Sequence, residues 1–199
     1  MALARLADPF RIPARSFRLL PEGICRHDDC FRHAVTHPYP RHLPAFTYRG
    51  NYMYALAFTT CGRQPHFVSA LLVDLVLQQI LRAAREQGFQ IAAYCFMPDH
   101  LHLLVAGLDA GSDCLIFVNA AKQYSGYYFA QQTGRRLWQR YGYERVLRNE
   151  AERLQTLRYI INNPVAAGLV TRASDYPFLG SQCQSVTELL EQAGQEPSG

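Results

Sequence analysis

The chain is 199 residues long and 49% hydrophobic, with a formal net charge of +4. That is enough for one globular domain with a real core plus extensions, and a balance this mildly basic is compatible with nucleic acid without requiring it. No run of about eighteen apolar residues occurs, which excludes a transmembrane helix, and the arginine-bearing N-terminus lacks an apolar core of signal-peptide length, so a cytoplasmic protein is expected.

In chain order, residues 1–40 read as an irregular extension. Within it Cys25, Cys30, His33 and His37 have the types and short spacings a zinc ion uses, although Pro38 and Pro40 follow at once and the segment is shorter than a finger with its own helix and strands. The six cysteines otherwise lack regular spacing and read as reduced thiols, not as a disulfide framework. Residues 52–60 are rich in aromatic and β-branched types and predict a first strand. An apolar stripe through Leu71, Leu72, Leu75, Val76 and Ile80 predicts a helix over 68–87, closed by Gly88. Residues 90–97 and 101–106 form a strand pair across Pro98-Asp99, with Asp99 first of all a turn residue.

A second helix is expected over 114–132, ended by Thr133-Gly134, and a fourth strand over 143–147. Asn149 with Glu152 three positions on makes a capping-box-like start to a last helix, with Leu154, Leu157 and Ile161 as its stripe and Pro164 as its stop. The order βαββαβ is the split-βαβ, ferredoxin-like α+β pattern: an antiparallel sheet with helices on one face, here followed by an additional helix that carries Tyr159. Residues 182–199 read as a tail, and Thr187 onward is expected to fray.

The chemistry concentrates in two places. In a strand alternate side chains share a face, so His100 and His102 point one way while Leu101, Leu103 and Val105 point into a core. Two imidazoles on one face can hold a divalent cation, although a pair of core or surface histidines in a hairpin has the same spacing. Tyr159 and Asn163 lie one turn apart on one helix face, where a phenolic nucleophile and an amide oxygen could serve the same cation. A half-buried tyrosine and an asparagine near a helix end fit that pattern as well. Tyr124 is a competing nucleophile, but Lys122, Tyr124, Tyr127, Tyr128 and Phe129 together suggest a packing or base-stacking surface. Arg135, Arg136, Arg140, Arg145 and Arg148 surround Trp138, Tyr141 and Tyr143, a mixture that follows a phosphate backbone and stacks on unpaired bases, or else guards a solvated hairpin edge. Lys122, Arg135, Arg136, Trp138 and Arg140 are the candidate DNA contacts.

Taken in order, Arg41-His42-Leu43-Pro44, Tyr48-Arg49-Gly50, Pro98-Asp99-His100-Leu101-His102, Leu137-Trp138-Gln139-Arg140 and Tyr159-Ile160-Ile161-Asn162-Asn163-Pro164-Val165-Ala166-Ala167-Gly168 resemble the single-tyrosine HUH transposases of the IS200-like superfamily. The likeness is greater still to the REP-associated branch, and it spans residues 41–181. Each piece is short, but their ordered combination is specific. The resemblance implies a transposase that cuts and joins single-stranded DNA beside a hairpin through a 5′-phosphotyrosine. His100 and His102 would then be ligands of magnesium or manganese, Tyr159 the nucleophile, and Asn163 a third ligand where related enzymes have the longer glutamine. It also implies either a monomer or a homodimer. Two other readings stay open: a domesticated protein that binds a DNA hairpin without cutting, and a phosphodiesterase in which water attacks.

Overall fold

In the computed structural model, residues 47–140 and 142–194 are described. The Cys25, Cys30, His33 and His37 set, Arg41 to Pro44 and Tyr141 lie outside them. Five strands, β1 (Met53–Thr59), β2 (Phe89–Met97), β3 (His100–Gly107), β4 (Tyr143–Leu147) and β5 (Leu179–Gly180), form one sheet in the order β4-β1-β3-β2-β5. Every neighbouring pair is antiparallel. Helix α1 (Ala70–Glu86) connects β1 to β2 with β3 between them, and α2 (Cys114–Thr133) connects β3 to β4, which is the expected ferredoxin-like arrangement.

The period of two sorts the sheet into unlike faces. Tyr54, Leu56 and Phe58 of β1 stand in register with Val105, Leu103 and Leu101 of β3, and all six are essentially buried. This face takes α1 and α2: Phe89 stacks on Phe117 of α2 with ring centroids 4.8 Å apart. Helix α1 buries Val73, Val76, Leu77, Ile80, Ala83 and Ala84, the three- and four-residue spacing of an apolar stripe. Each fully buried large side chain here contributes roughly 1.5–3 kcal/mol from lost water contact. The opposite face carries His100 and His102, flanked in register by Thr59 and Ala57 on β1 and by Met97 and Cys95 on β2. That face is covered by α3 (Glu150–Ala166), whose start is capped as expected by the Asn149 side chain accepting from the Glu152 amide.

Two expectations about the C-terminal part are corrected. Pro164 does not stop α3, which continues through it to Ala166. A proline this close to the end removes only a last-turn hydrogen bond; the stop comes at Gly168, whose left-handed φ of 67° lets Leu169 N–H return to the Pro164 carbonyl at 2.9 Å. Nor are residues 187–194 frayed. A further helix, α4 (Val186–Gln192), opens with a complete capping box between Ser185 and Glu188, and it buries Leu189 and Leu190. Arg158 of α3 donates to the Ala193 carbonyl at 2.8 Å and ties the end of α4 down. A two-turn helix is unstable alone, so its existence depends on this docking. Ser185→Ala is expected to cost about 1 kcal/mol of stability, read from the urea midpoint, with amides of 186–193 losing protection from hydrogen exchange first.

No helix among the described residues is long and apolar enough to cross a membrane.

Candidate active site

The β2–β3 hairpin turns on Pro98 and Asp99, and the two histidines leave it on the face that α3 covers. Their side chains are buried, and the two Nε2 atoms are 3.0 Å apart. On its other side, the His100 ring meets the carboxylate that precedes it in sequence, Nδ1 lying 2.6 Å from Asp99 Oδ1. A carboxylate only accepts, so in a neutral imidazole Nδ1 carries the proton and Nε2 holds a lone pair. The proton between the two Nε2 atoms then belongs to His102. Burial raises the Asp99 carboxyl, but the hydrogen bond from His100 and the Arg63 guanidinium outweigh it and hold the group below the usual carboxylate range.

Tyr159 comes down on this pair from α3. Its ring meets His102 edge to face, with centroids 5.2 Å apart and planes at 82°. Asn163 is buried one turn further on, and its Nδ2 donates to the Tyr159 carbonyl at 2.8 Å. With the amide nitrogen so engaged, Oδ1 is the atom this side chain has to offer a hard cation. Among the described residues no group of three His, Cys, Asp or Glu side chains is placed to hold a metal.

Tyr124 is elsewhere. It packs in the α1–α2 layer on the far side of the sheet, its hydroxyl donating to Glu86 at 2.8 Å and its ring lying under Arg82. Two of the candidate DNA contacts have partners within the protein. Trp138 is only 5% exposed; it packs edge to face on Phe58 and donates its indole N–H to Ser125. Lys122 gives its ammonium to the carbonyls of Gln139 and Arg140, at 2.8 and 3.2 Å, and so anchors the segment leading into β4. Arg136 bonds the Trp138 carbonyl through Nε, while Arg135 and Arg140 are exposed. The basic surface in this region is therefore narrower than the sequence cluster suggests.

Burial, and secondarily the Arg136 guanidinium, push the Lys122 ammonium down to about 8 from its ordinary 10.5. Between those values the unfolded chain binds more protons than the folded one, so this group's contribution to stability improves as pH rises through that window. Wild type is accordingly expected to gain stability relative to Lys122→Met between about pH 8 and 10.5, measured as urea midpoints at each pH.

Asp99 and Arg63 were not singled out for chemistry by sequence. The one available signal was an acidic residue immediately before the first histidine, and its turn propensity offers a simpler account.

A ferredoxin-like sheet that presents two histidines of one strand to a tyrosine on a covering helix defines the class. The family described as Transposase IS200 like matches residues 48–163, over half of the chain and inclusive of His100, His102, Tyr159 and Asn163. This protein belongs to the IS200-like transposase family. It is 28% identical over 106 residues to the REP-associated tyrosine transposase of Escherichia coli K12; the match takes in 53% of this chain and 62% of that protein, less than two thirds of the relative's length. A REP-associated tyrosine transposase solved bound to a REP hairpin superposes with a TM-score of 0.59 at 21% identity, covering 70% of this chain and 82% of that one, which establishes the shared fold.

Proposed function

We propose that this chain cuts and rejoins single-stranded DNA at hairpin-associated sites, with Tyr159 as the nucleophile and His100, His102 and Asn163 as the residues that hold a divalent cation. The observation that carries the reading is the meeting of Tyr159 with His102 across the α3–sheet contact, which brings together two residues 57 positions apart in the chain. The histidine pair fits a metal: two buried imidazoles bring their Nε2 atoms within 3.0 Å of one another, so both could reach a single cation. Magnesium or manganese, once bound, polarises the phosphate oxygen and neutralises its charge. Imidazole ligands favour manganese in intrinsic affinity.

The chain's own residues do the rest. For both rings to face a cation, His102 would carry its proton on Nδ1 in place of the Nε2 it shares with His100, so that each imidazole offers one Nε2 lone pair. Tyr159 passes its phenolic proton to solvent water, from which the departing 3′-oxygen later takes one back, and attacks phosphorus in line with that oxygen. The Tyr159 Oη–P bond forms, the P–O3′ bond breaks, and the departing 3′-oxygen takes a proton, so no external energy source is needed. Attack by a 3′-hydroxyl on the phosphotyrosine reverses the step and joins strands. Tyr159 sits over its own chain's His102, which supports a site complete within one copy, so that a monomer suffices.

The test is incubation with labelled oligonucleotides from the flanks of the protein's own gene, with and without manganese, followed by denaturing electrophoresis. A metal-dependent protein–DNA adduct supports the reading. Cleavage without an adduct points to water as the attacking group, and hairpin binding without cleavage points to a domesticated binding protein.

A further inference from the structure

We infer that Asp99 is a positioning residue for His100, and that Arg63 holds it in place. The inference rests on the metal reading above and extends it by one shell. The two oxygens of the Asp99 carboxylate have separate tasks: Oδ1 accepts a hydrogen bond from His100 Nδ1 at 2.6 Å, and Oδ2 accepts one from Arg63 Nη1 at 3.2 Å. A carboxylate placed so fixes both the tautomer and the ring orientation of the histidine and turns its Nε2 lone pair into the site.

The surroundings over-determine that placement. Thr60, fully buried, donates its amide to the Asp99 carbonyl at 2.9 Å, its hydroxyl lies between the Gln64 carbonyl at 2.8 Å and the Asp99 carbonyl at 2.9 Å, and the Phe67 amide donates to the Pro98 carbonyl at 3.0 Å. The loop after β1 is thereby latched along the hairpin turn. Within that loop Gly62 and Arg63 are both left-handed, at φ 64° and 52°. Glycine adopts this conformation freely, whereas arginine does so at a cost that persists only where neighbours hold it. Here the result is a guanidinium delivered to Oδ2, on the side of the carboxylate away from the histidine. A turn residue selected only for its backbone has no use for either side-chain contact.

The test compares wild type with Asp99→Ala, Asp99→Asn, Arg63→Gln and His102→Ala. Nitrogen-15 spectra of the imidazoles read the tautomer of His100 without metal, and manganese binding is read from the EPR signal of the free ion. Wild type is expected to show His100 protonated at Nδ1, and Asp99→Ala to show a mixture with the Nε2 form. Manganese affinity should fall 10- to 100-fold in Asp99→Ala, by less in Arg63→Gln, and recover partly in Asp99→Asn, which keeps an acceptor oxygen. Thermal melting identifies any variant that loses the fold, and Asp99→Asn covers that case for Asp99→Ala. An unchanged tautomer and wild-type manganese affinity in folded Asp99→Ala, with binding abolished in His102→Ala, overturns the positioning role and leaves the metal site standing. No manganese binding by wild type overturns the metal reading itself, while the tautomer comparison still reports on Asp99.

Discussion

Tyr159→Phe is expected to abolish the covalent protein–DNA adduct and to lower cleavage by on the order of 10³-fold or more while leaving the fold intact. The substitution removes a single oxygen. The ring remains, and so does its edge-to-face contact with His102, with centroids 5.2 Å apart, so α3 keeps its seat on the sheet. The three proposed metal-holding side chains are themselves unchanged, and metal affinity should stay near wild type. What disappears is the only atom of that side chain able to bond to phosphorus. Tyr124→Phe is the matched control. Its hydroxyl is engaged by Glu86 in the α1–α2 layer, with the whole sheet between it and the histidines, so adduct formation should be unaffected. Denaturing electrophoresis of both variants beside wild type decides the matter: an adduct that survives in Tyr159→Phe and vanishes in Tyr124→Phe would transfer the nucleophile's role to the other helix layer.

Trp138→Ala should cost about 3–5 kcal/mol of stability, the range for deleting a buried aromatic side chain. Its ring lies 5.6 Å from those of both Phe58 and Phe67, and Phe67 continues the cluster to Phe96 at 5.0 Å. Alanine opens a cavity at the centre of that group and also takes away the N–H that meets the Ser125 hydroxyl at 2.8 Å. Trp138→Phe keeps most of the packing and loses the hydrogen bond, so its loss should be distinctly smaller, about 1–2 kcal/mol. Urea denaturation separates the two variants. A stacking platform for unpaired bases predicts the reverse pattern, namely weaker hairpin binding at unchanged stability, and that result would return Trp138 to the DNA surface.

Trp138 and Lys122 mark where sequence reasoning stops. Arginines alternating with aromatic residues look alike whether the rings face solvent or a core. The choice was made by contacts from elsewhere in the chain: Phe58 and Phe67 beneath the indole, and the carbonyls of Gln139 and Arg140, 17 and 18 positions away, around the ammonium. The C-terminal segment shows the same limit. Its capping box was readable in Ser185 and Glu188, but a seven-residue helix exists only because Leu189 and Leu190 find an apolar bed and Arg158 reaches the Ala193 carbonyl, 35 positions from it.

What the sequence determined by itself is whatever repeats with a local period. Alternation along β3 put His100 and His102 on one face and Leu101, Leu103 and Val105 on the other, and the four-residue step placed Tyr159 and Asn163 together on α3. The order of elements carried the ferredoxin-like topology, because only a few connections of short strands and helices pack without crossing. That the tyrosine helix packs across the histidine face follows from the same order of elements; tertiary structure alone decided that Tyr159 lies over His102, that Trp138 turns inward, and that Arg63 reaches Asp99 across 36 positions of chain. Local periods are set by backbone geometry and can be counted along a chain. Which faces meet is set by the burial of all of them at once, and no window of sequence contains that sum.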